Sequence, residues 1–449
     1  MALEKKHAGS VRIQRADVLT MPRLLLLLPT TTYRTEAFLT AAERLGVQVV
    51  VASDRANVLQ AQRPDKLLAL DFADHRRAAK KVIEVAEKYP IDAVVGVDDD
   101  TAVVAAAIAE ALKLPHNSLE SAYTARNKQR MREVLSCAGI LSPWFQVFPL
   151  DDEPERIAGQ VTYPCVLKPL SLSASRGVIR ADDQSEFVAA YRRIGVILRS
   201  ADVGDRGDGA NDHVLVEGFI PGRELALEGL VINGELRVLA LFDKPDPLDG
   251  PFFEETIYVT PSRLSPSDQE AIADCARRAA EALGLREGPV HAEVRINDEG
   301  VWPIEMAARS IGGLCSRILR FGVGLSLEEL ILRHALGMSL DTLEREARPA
   351  GVMMIPVPQA GTLREVRGQA EAQSVAGIEG VTITAHIGDE LVLLPEGSRY
   401  LGFIFAHAET PDEVEAALRE SHRRLQFVVE PHGRTQLDQA QECEYACQG

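Results

Sequence analysis

The stretch VHAEVRINDEGVWPIEMAARSIGG, Val290–Gly313, decides how the rest of the chain is read. VHAEVRI and VWPIEM are short runs rich in β-branched residues, and Asn297-Asp298-Glu299-Gly300 between them is a hairpin turn signal. With the turn centred near Glu299, Glu293 falls opposite Glu305, on the same face because strand side chains alternate. Directly opposed side chains lie about 5 Å apart, where like charges repel. A structural hairpin gains nothing from that pairing. A divalent cation between the two carboxylates removes the conflict, and Mg²⁺ takes one or two carboxylates plus phosphate oxygens. Arg309 follows four residues after Glu305, and the planar fork of a guanidinium suits phosphate or carboxylate. The plainer alternative is a solvated edge hairpin, and the rest of the chain has to choose.

Composition narrows the choice of partners. A chain of 449 residues is long enough for two to four domains with sizeable cores. Its formal charge of −17 argues against a nucleic-acid backbone or an anionic membrane as main partner, since both reward clustered Lys and Arg. A local basic pocket for a small anion stays open. The six cysteines are scattered, and only Cys443 and Cys447 lie close together, without zinc spacing. A reduced, cytoplasmic compartment is the expectation. Residues 1–20 hold no apolar core of signal-peptide length and read as a loose leader, while Leu24–Leu28 is too short to span a membrane.

Outward from the hairpin, the N-terminal part alternates apolar strands with helices. Arg23–Leu28 and Val47–Ala52 read as buried strands, Lys66–Leu70 as a third and Ile91–Val97 as a fourth, with helices between. That alternation implies βαβ units and a parallel, Rossmann-like sheet over 21–120. Asp98-Asp99-Asp100 falls at a strand end, where open α/β sheets place ligands. One of the three is expected to cap the helix Ala102–Leu112, and Asp98 is a substrate-side candidate.

Leu119–Ala138 reads as one helix carrying Asn127, Lys128 and Arg130. Tyr163–Pro169 is a strand ending in Lys168, followed by LSLSASRGV, whose small residues let backbone N–H groups wrap an anion. Residues 200–212 are rich in Gly and Asp and form either a lid or an idle insertion. His213–Ile220 and Glu224–Ile232 are strands about a Pro221-Gly222 turn, with a further strand Glu235–Phe242 and a helix Asp268–Leu283. From 351 the pattern turns to short strands and one helix, a small α+β unit over 351–430 before a polar tail, 431–449.

In this order the signals resemble the ATP-grasp superfamily: a parallel α/β domain, Lys128, Lys168, the Ser/Gly loop, VEGFI-PGRE, then the paired carboxylates ending in Glu305-x-x-x-Arg309. The resemblance covers roughly 23–345 and implies an α/β chain with a central ATP-grasp α+β domain over 121–350. It implies ATP as cofactor with Mg²⁺, or Mn²⁺ in its place. Lys128 and Lys168 match the lysines on the nucleotide phosphates, and Ser173, Ser175, Arg176 and Gly177 the loop that covers them. Glu217, Gly218, Phe219 and Ile220 match the hinge whose backbone reads adenine, and Glu224 the acidic residue assigned to ribose or adenine-side contacts. Glu293 and Glu305 match the metal pair, with Glu305 and Arg309 at the transferred phosphate.

One position departs from the common pattern. Where many members have Asn two residues after the second glutamate, this chain has Ala307. That E-x-A-x-R form is similar to the branch of bacterial L-amino-acid ligases and carnosine-synthase-like enzymes, and His291 also fits it. The branch implies an ADP-forming carboxylate–amine ligase working through an acyl-phosphate, on amino acids, with a homodimer as a common assembly. Arg317, Lys244, Glu254, Glu255 and His291 are substrate-side candidates, and Phe252 and Phe253 either line a side-chain pocket or are plain core. The alternatives are an ATP-grasp carboxylase or purine-pathway ligase, and a nucleotide-binding regulatory module without catalysis.

Overall fold

The leucine run at the start of the chain is apolar all along, so it needs cover on both faces. In the computed structural model it has that cover: Arg23–Leu27 is an inner strand of a parallel four-stranded sheet, and Leu24 to Leu27 are fully buried. The sheet runs Leu67–Ala69, Gln48–Ser53, Arg23–Leu27, Ala93–Gly96. Leu25 is in register with both Val50 and Val94. Helices Thr35–Arg44, His75–Ala86 and Asp99–Leu112 alternate with the strands, as the parallel reading requires. The structure describes residues 21–431 apart from 57–59, 61, 64, 202 and 204–208. The leader 1–20, nearly all of the tail 431–449 and much of the 200–212 segment lie outside the described residues.

A second, antiparallel sheet follows, in the order Phe145–Pro149, His213–Gly218, Cys165–Pro169, Ile179–Ala181. The helix Gln184–Leu198, which the sequence reading left unassigned, buries Phe187, Tyr191 and Ile194 against this sheet. Between Gly218 and Arg223 the chain leaves it. The two strands about Pro221-Gly222 therefore do not form a hairpin; each belongs to a different sheet.

The large sheet has eight strands: Gly300–Ala307, Gly288–Asn297, Arg223–Ile232, Glu235–Asp243, Ile257–Thr260, Ala350–Ile355, Gly402–His407, Ile378–Ile383. Ile257–Thr260 pairs with Ala350–Ile355, so the small C-terminal unit continues the central sheet instead of starting a detached one. A three-stranded sheet of Glu390–Leu391, Gly361–Arg367 and Gln426–Glu430 completes that unit, with helix Pro411–Arg423 over its core. Among the described residues no helix is long and apolar enough to cross a membrane.

The helix expected over Leu119–Ala138 is two helices, Leu119–Arg126 and Lys128–Cys137. Asn127 is extended (φ −90°, ψ 111°), closes the first helix and caps the second by accepting a hydrogen bond from the Arg130 amide. Asn at an N-cap satisfies an otherwise orphaned amide, and so stabilises the break. The break lets the Lys128 amide donate to the Leu170 carbonyl, beside the Ser/Gly loop.

Candidate active site

The expected carboxylate pairing is present, but it needs a device the sequence did not announce. Asn297 pairs with Gly300 and Val294 with Pro303, a register that would set Glu293 opposite Ile304. A β-bulge between Glu293 and Val294 shifts the ladder by one residue and puts Glu305 opposite Glu293. Because side chains alternate, that single residue turns Glu305 to the face of Glu293, the usual service of a bulge beside a site.

Arg132, on the helix Lys128–Cys137, holds the bulge. Its buried guanidinium donates to the carbonyls of Pro303 (2.8 Å) and Ile304 (2.9 Å) and forks onto the Glu217 carboxylate at 2.7 and 3.2 Å. Glu217 also pairs with Lys168 at 2.6 Å. Burial pushes the Glu217 carboxyl up, yet Arg132 and Lys168 outweigh it and bring it down to about 2 from 4.5. A depressed carboxylate stabilises the fold above its unfolded value, and the contribution disappears as pH falls through the folded one. The stability gap between wild type and Glu217→Gln is therefore expected to be full above pH 4.5 and to shrink towards pH 2. Urea unfolding at several pH values checks this, and a gap that does not vary over that window contradicts it.

At the other end of the hairpin face lies a cluster of Glu224, Glu255 and Glu293. Lys244 sits among them, 2.9 Å from Glu224, 3.6 Å from Glu293 and hydrogen-bonded to Glu255, while Arg295 takes the second Glu224 oxygen at 2.8 Å. Burial raises the Glu293 carboxyl, but Lys244, His291 and Arg309 outweigh it and hold it ionised. Burial and the Glu293 charge push Glu255 up, against the pull of Lys244. The middle of the three-carboxylate cluster is thus already occupied by an ammonium. The Glu293–Glu305 pair is better placed for a divalent cation: both side chains are about one quarter open to the cavity, and Lys128 stands 3.5 Å from Glu305. Two hard oxygen donors open to a phosphate site fit Mg²⁺.

His291 is buried, with Nδ1 3.2 Å from Glu228 and Nε2 3.8 Å from Glu293. Burial lowers its pKa, but Glu228 and Glu293 raise it overall. Glu228 also accepts the Ile311 amide at 2.9 Å. The histidine therefore braces Glu293 from behind.

Arg309 is clasped by Asp99 of the N-terminal unit through Nε at 3.0 Å and Nη2 at 2.9 Å. Of the three aspartates, Asp98 takes the N-cap position, Asp99 holds Arg309, and Asp100 pairs with Arg126 at 3.2 Å. Burial pushes the Asp98 carboxyl up.

The Ser/Gly loop adopts the curl expected of an anion cradle. Ala174 and Ser175 are left-handed at φ 54° and 55°, and Gly177 at 72°. Non-glycine residues rarely take such angles, and strain of this kind gathers at ligand clamps. Lys128 Nζ donates to the Leu172 carbonyl at 2.7 Å, under the same loop. The hinge is anchored too: the Gly218 and Phe219 amides donate to the carbonyls of Trp144 (3.0 Å) and Pro164 (3.1 Å).

One cavity of about 940 Å³ gathers these groups. Lys128, Lys168, Ser173, Ser175, Arg176, the hinge Glu217–Ile220, Glu224, His291, Glu293, Glu305 and Arg309 all line it, with Asp98, Phe253 and Glu255. Four expected site residues are absent from the lining: Gly177, Lys244, Glu254 and Arg317. Glu254 is absent from the lining, and its carboxyl takes a backbone hydrogen bond at Val357, while its neighbour Glu255 faces the cavity. Arg317 is exposed, lies 4.3 Å over the Phe405 ring and donates to Thr382, outside the cavity. Lys244 belongs to the acidic cluster. Phe252 packs against the core of the antiparallel sheet. Sequence reasoning missed Arg132, Glu228 and the wall supplied by Ser398, Arg399 and Tyr400, and left the role of Asp99 open. Of these, Asp99 alone carried a local signal, as part of a strand-end acidic triplet.

Comparison with known proteins agrees with this geometry. Family models match at residues 39–116 (ATP-grasp N-terminal domain), 161–318 (ATP-grasp domain) and 353–430 (L-amino acid ligase C-terminal domain 2). An uncharacterised protein of Sinorhizobium fredii is 22% identical over 93% of this chain and 85% of its own length. Alanine–anticapsin ligase of Bacillus subtilis is 26% identical over 58% of this chain, and the match spans only 58% of that enzyme. The crystal structure of an L-amino acid ligase from Bacillus licheniformis superposes with a TM-score of 0.77 at 29% identity, covering 91% of this chain and 99% of that one. With its fold, its site and all three matched domains in agreement, the chain carries ATP-grasp domains and is similar to proteins named as ligases.

Proposed function

We propose that this protein is an ADP-forming carboxylate–amine ligase that joins an amino acid to a second small molecule, itself an amino acid. The observation that carries the reading is the gathering, around one cavity, of Lys128, Lys168 and Arg309 with the register-paired Glu293 and Glu305. Phosphoryl transfer is mostly positioning and charge neutralisation, and this inventory supplies both. No hydrolase-like nucleophile is needed. The ligase relatives and the matched C-terminal domain favour this reading over a carboxylase or purine-pathway ligase.

In this reading a substrate carboxylate oxygen attacks the γ-phosphorus of ATP, ADP leaves, and an acyl-phosphate forms. The amine of the second substrate, having lost a proton, attacks the acyl carbon, and phosphate departs with the C–O bond electrons. Lys128 and Lys168 hold the nucleotide phosphates, and Arg309, steadied by Asp99, meets the transferred one. Glu293 and Glu305 would hold Mg²⁺, which neutralises phosphate charge when bound. Glu255 is the carboxylate we assign to the incoming ammonium. The curled loop closes over the intermediate and keeps water from it.

Phosphate release from Mg·ATP, screened against single amino acids and their pairwise mixtures with mass spectrometry of products, tests the proposal. Release with particular pairs, and a product equal to their sum less water, is the expected result. Silence across the panel would sink it.

A further inference from the structure

Most cations facing the cavity already have a carboxylate. Lys128 faces Glu305, Lys168 faces Glu217, Arg295 faces Glu224, and Arg309 is clasped by Asp99. Arg399 differs. It lines the same cavity, its side chain is exposed, and among the described residues nothing pairs with its guanidinium. It stands on the loop between Glu390–Leu391 and Gly402–His407, in the C-terminal unit. It is close enough to act electrostatically on the Tyr33 phenol of the N-terminal unit.

We propose that Arg399 binds the α-carboxylate of the amino acid that supplies the amine. The assignment rests on the ligase reading above. In that reaction one substrate carboxylate is consumed by activation, whereas the amine donor keeps its own and needs a cation the protein has not already paired. The neighbouring Tyr400 is half-buried and lines the same cavity as Glu255 and Cys315. Glu255 and Arg399 thus offer a carboxylate for the ammonium and a guanidinium for the carboxylate of one zwitterion. A guanidinium fork suits the second task.

The loop that carries Arg399 is held in place from the opposite side. The Pro395 carbonyl accepts the Gly177 amide at 2.9 Å, and Glu396 takes both prongs of Arg193 at 2.5 and 2.8 Å. The residue that reads the amine donor is therefore four positions from a contact that fastens the phosphate-covering loop.

The test compares an accepted amine-donor amino acid with its carboxamide, in wild type, Arg399→Ala, Arg399→Lys and Arg55→Ala. Arg55 is the control because it also lines the cavity with no ion pair among the described residues. Wild type is expected to favour the acid over the amide by on the order of 10- to 100-fold in kcat/KM, as for a hydrogen-bonded charge. Arg399→Ala should lose that factor on the acid through KM, leave the amide unchanged, and be partly rescued by Arg399→Lys. Equal losses on acid and amide would mark a structural role and overturn the assignment. So would an intact acid-to-amide ratio in Arg399→Ala, or loss of the ratio in Arg55→Ala. Absence of ligation by the wild type would overturn the ligase reading, and this assignment with it.

Discussion

Glu305→Gln is expected to lower ATP-dependent turnover by on the order of 10³-fold or more while leaving the fold and nucleotide binding in place. The side chain is 27% exposed, faces Lys128 at 3.5 Å and stands opposite Glu293, so an amide of equal size fits without a packing penalty. What changes is charge. Without the second carboxylate the pair loses half of its hold on a divalent cation, and Lys128 loses its counter-ion at the place where phosphate charge has to be managed. Phosphate-release kinetics, with calorimetry of nucleotide binding on the same preparation, checks both halves. A loss smaller than about tenfold in turnover would place the metal elsewhere.

Arg132→Met carries the largest expected cost in stability, about 3–5 kcal/mol, the range for breaking a buried ion pair from one side. The guanidinium is 1% exposed and serves four acceptor atoms at once: two carbonyls of the bulge and both oxygens of Glu217. Removing it leaves the bulge carbonyls without donors and Glu217 with Lys168 alone. Because the bulge sets the face of Glu305, the variant should also lose turnover beyond what its folded fraction explains. Urea unfolding reads the first effect. The cycle with Glu217→Gln reads the coupling, which for a contacting pair should reach 0.5–3 kcal/mol. Additive losses would contradict the picture of Arg132 as the shared anchor.

The sequence displays what is local and periodic, and the structure agrees there. The leucine run, the alternation of strands and helices over 21–120 and the hairpin about Asp298-Glu299 all appear where the patterns put them. Lys128, Lys168, the loop residues Ser173, Ser175 and Arg176, the hinge and the carboxylate pair line one cavity, while Gly177 does not. The rest is illegible for physical reasons. A bulge has no composition of its own, so the pairing of Glu293 with Glu305 followed from a turn centre placed one half-residue off. Asn127 sits in a helical pattern, and the break there is stabilised by its cap and by the hydrogen bond of the Lys128 amide to Leu170, 42 positions further along the chain. Glu254 and Glu255 are adjacent and chemically alike, and they lie in the irregular segment before the strand Ile257–Thr260, where no periodicity says which of them faces the cavity. Arg399 comes from a unit whose sequence pattern announced strands and nothing about a site.

The central claim is that a carboxylate is activated by phosphoryl transfer before the amine arrives. An acid substrate labelled with ¹⁸O in its carboxylate, turned over with Mg·ATP and the amine donor, tests it most directly. One labelled oxygen per product should appear in the released phosphate, alongside a ligated product that has lost one label. Phosphate free of label, with product still formed, would contradict an acyl-phosphate and the arrangement of Lys128, Lys168, Arg309 and the Glu293–Glu305 pair built around it.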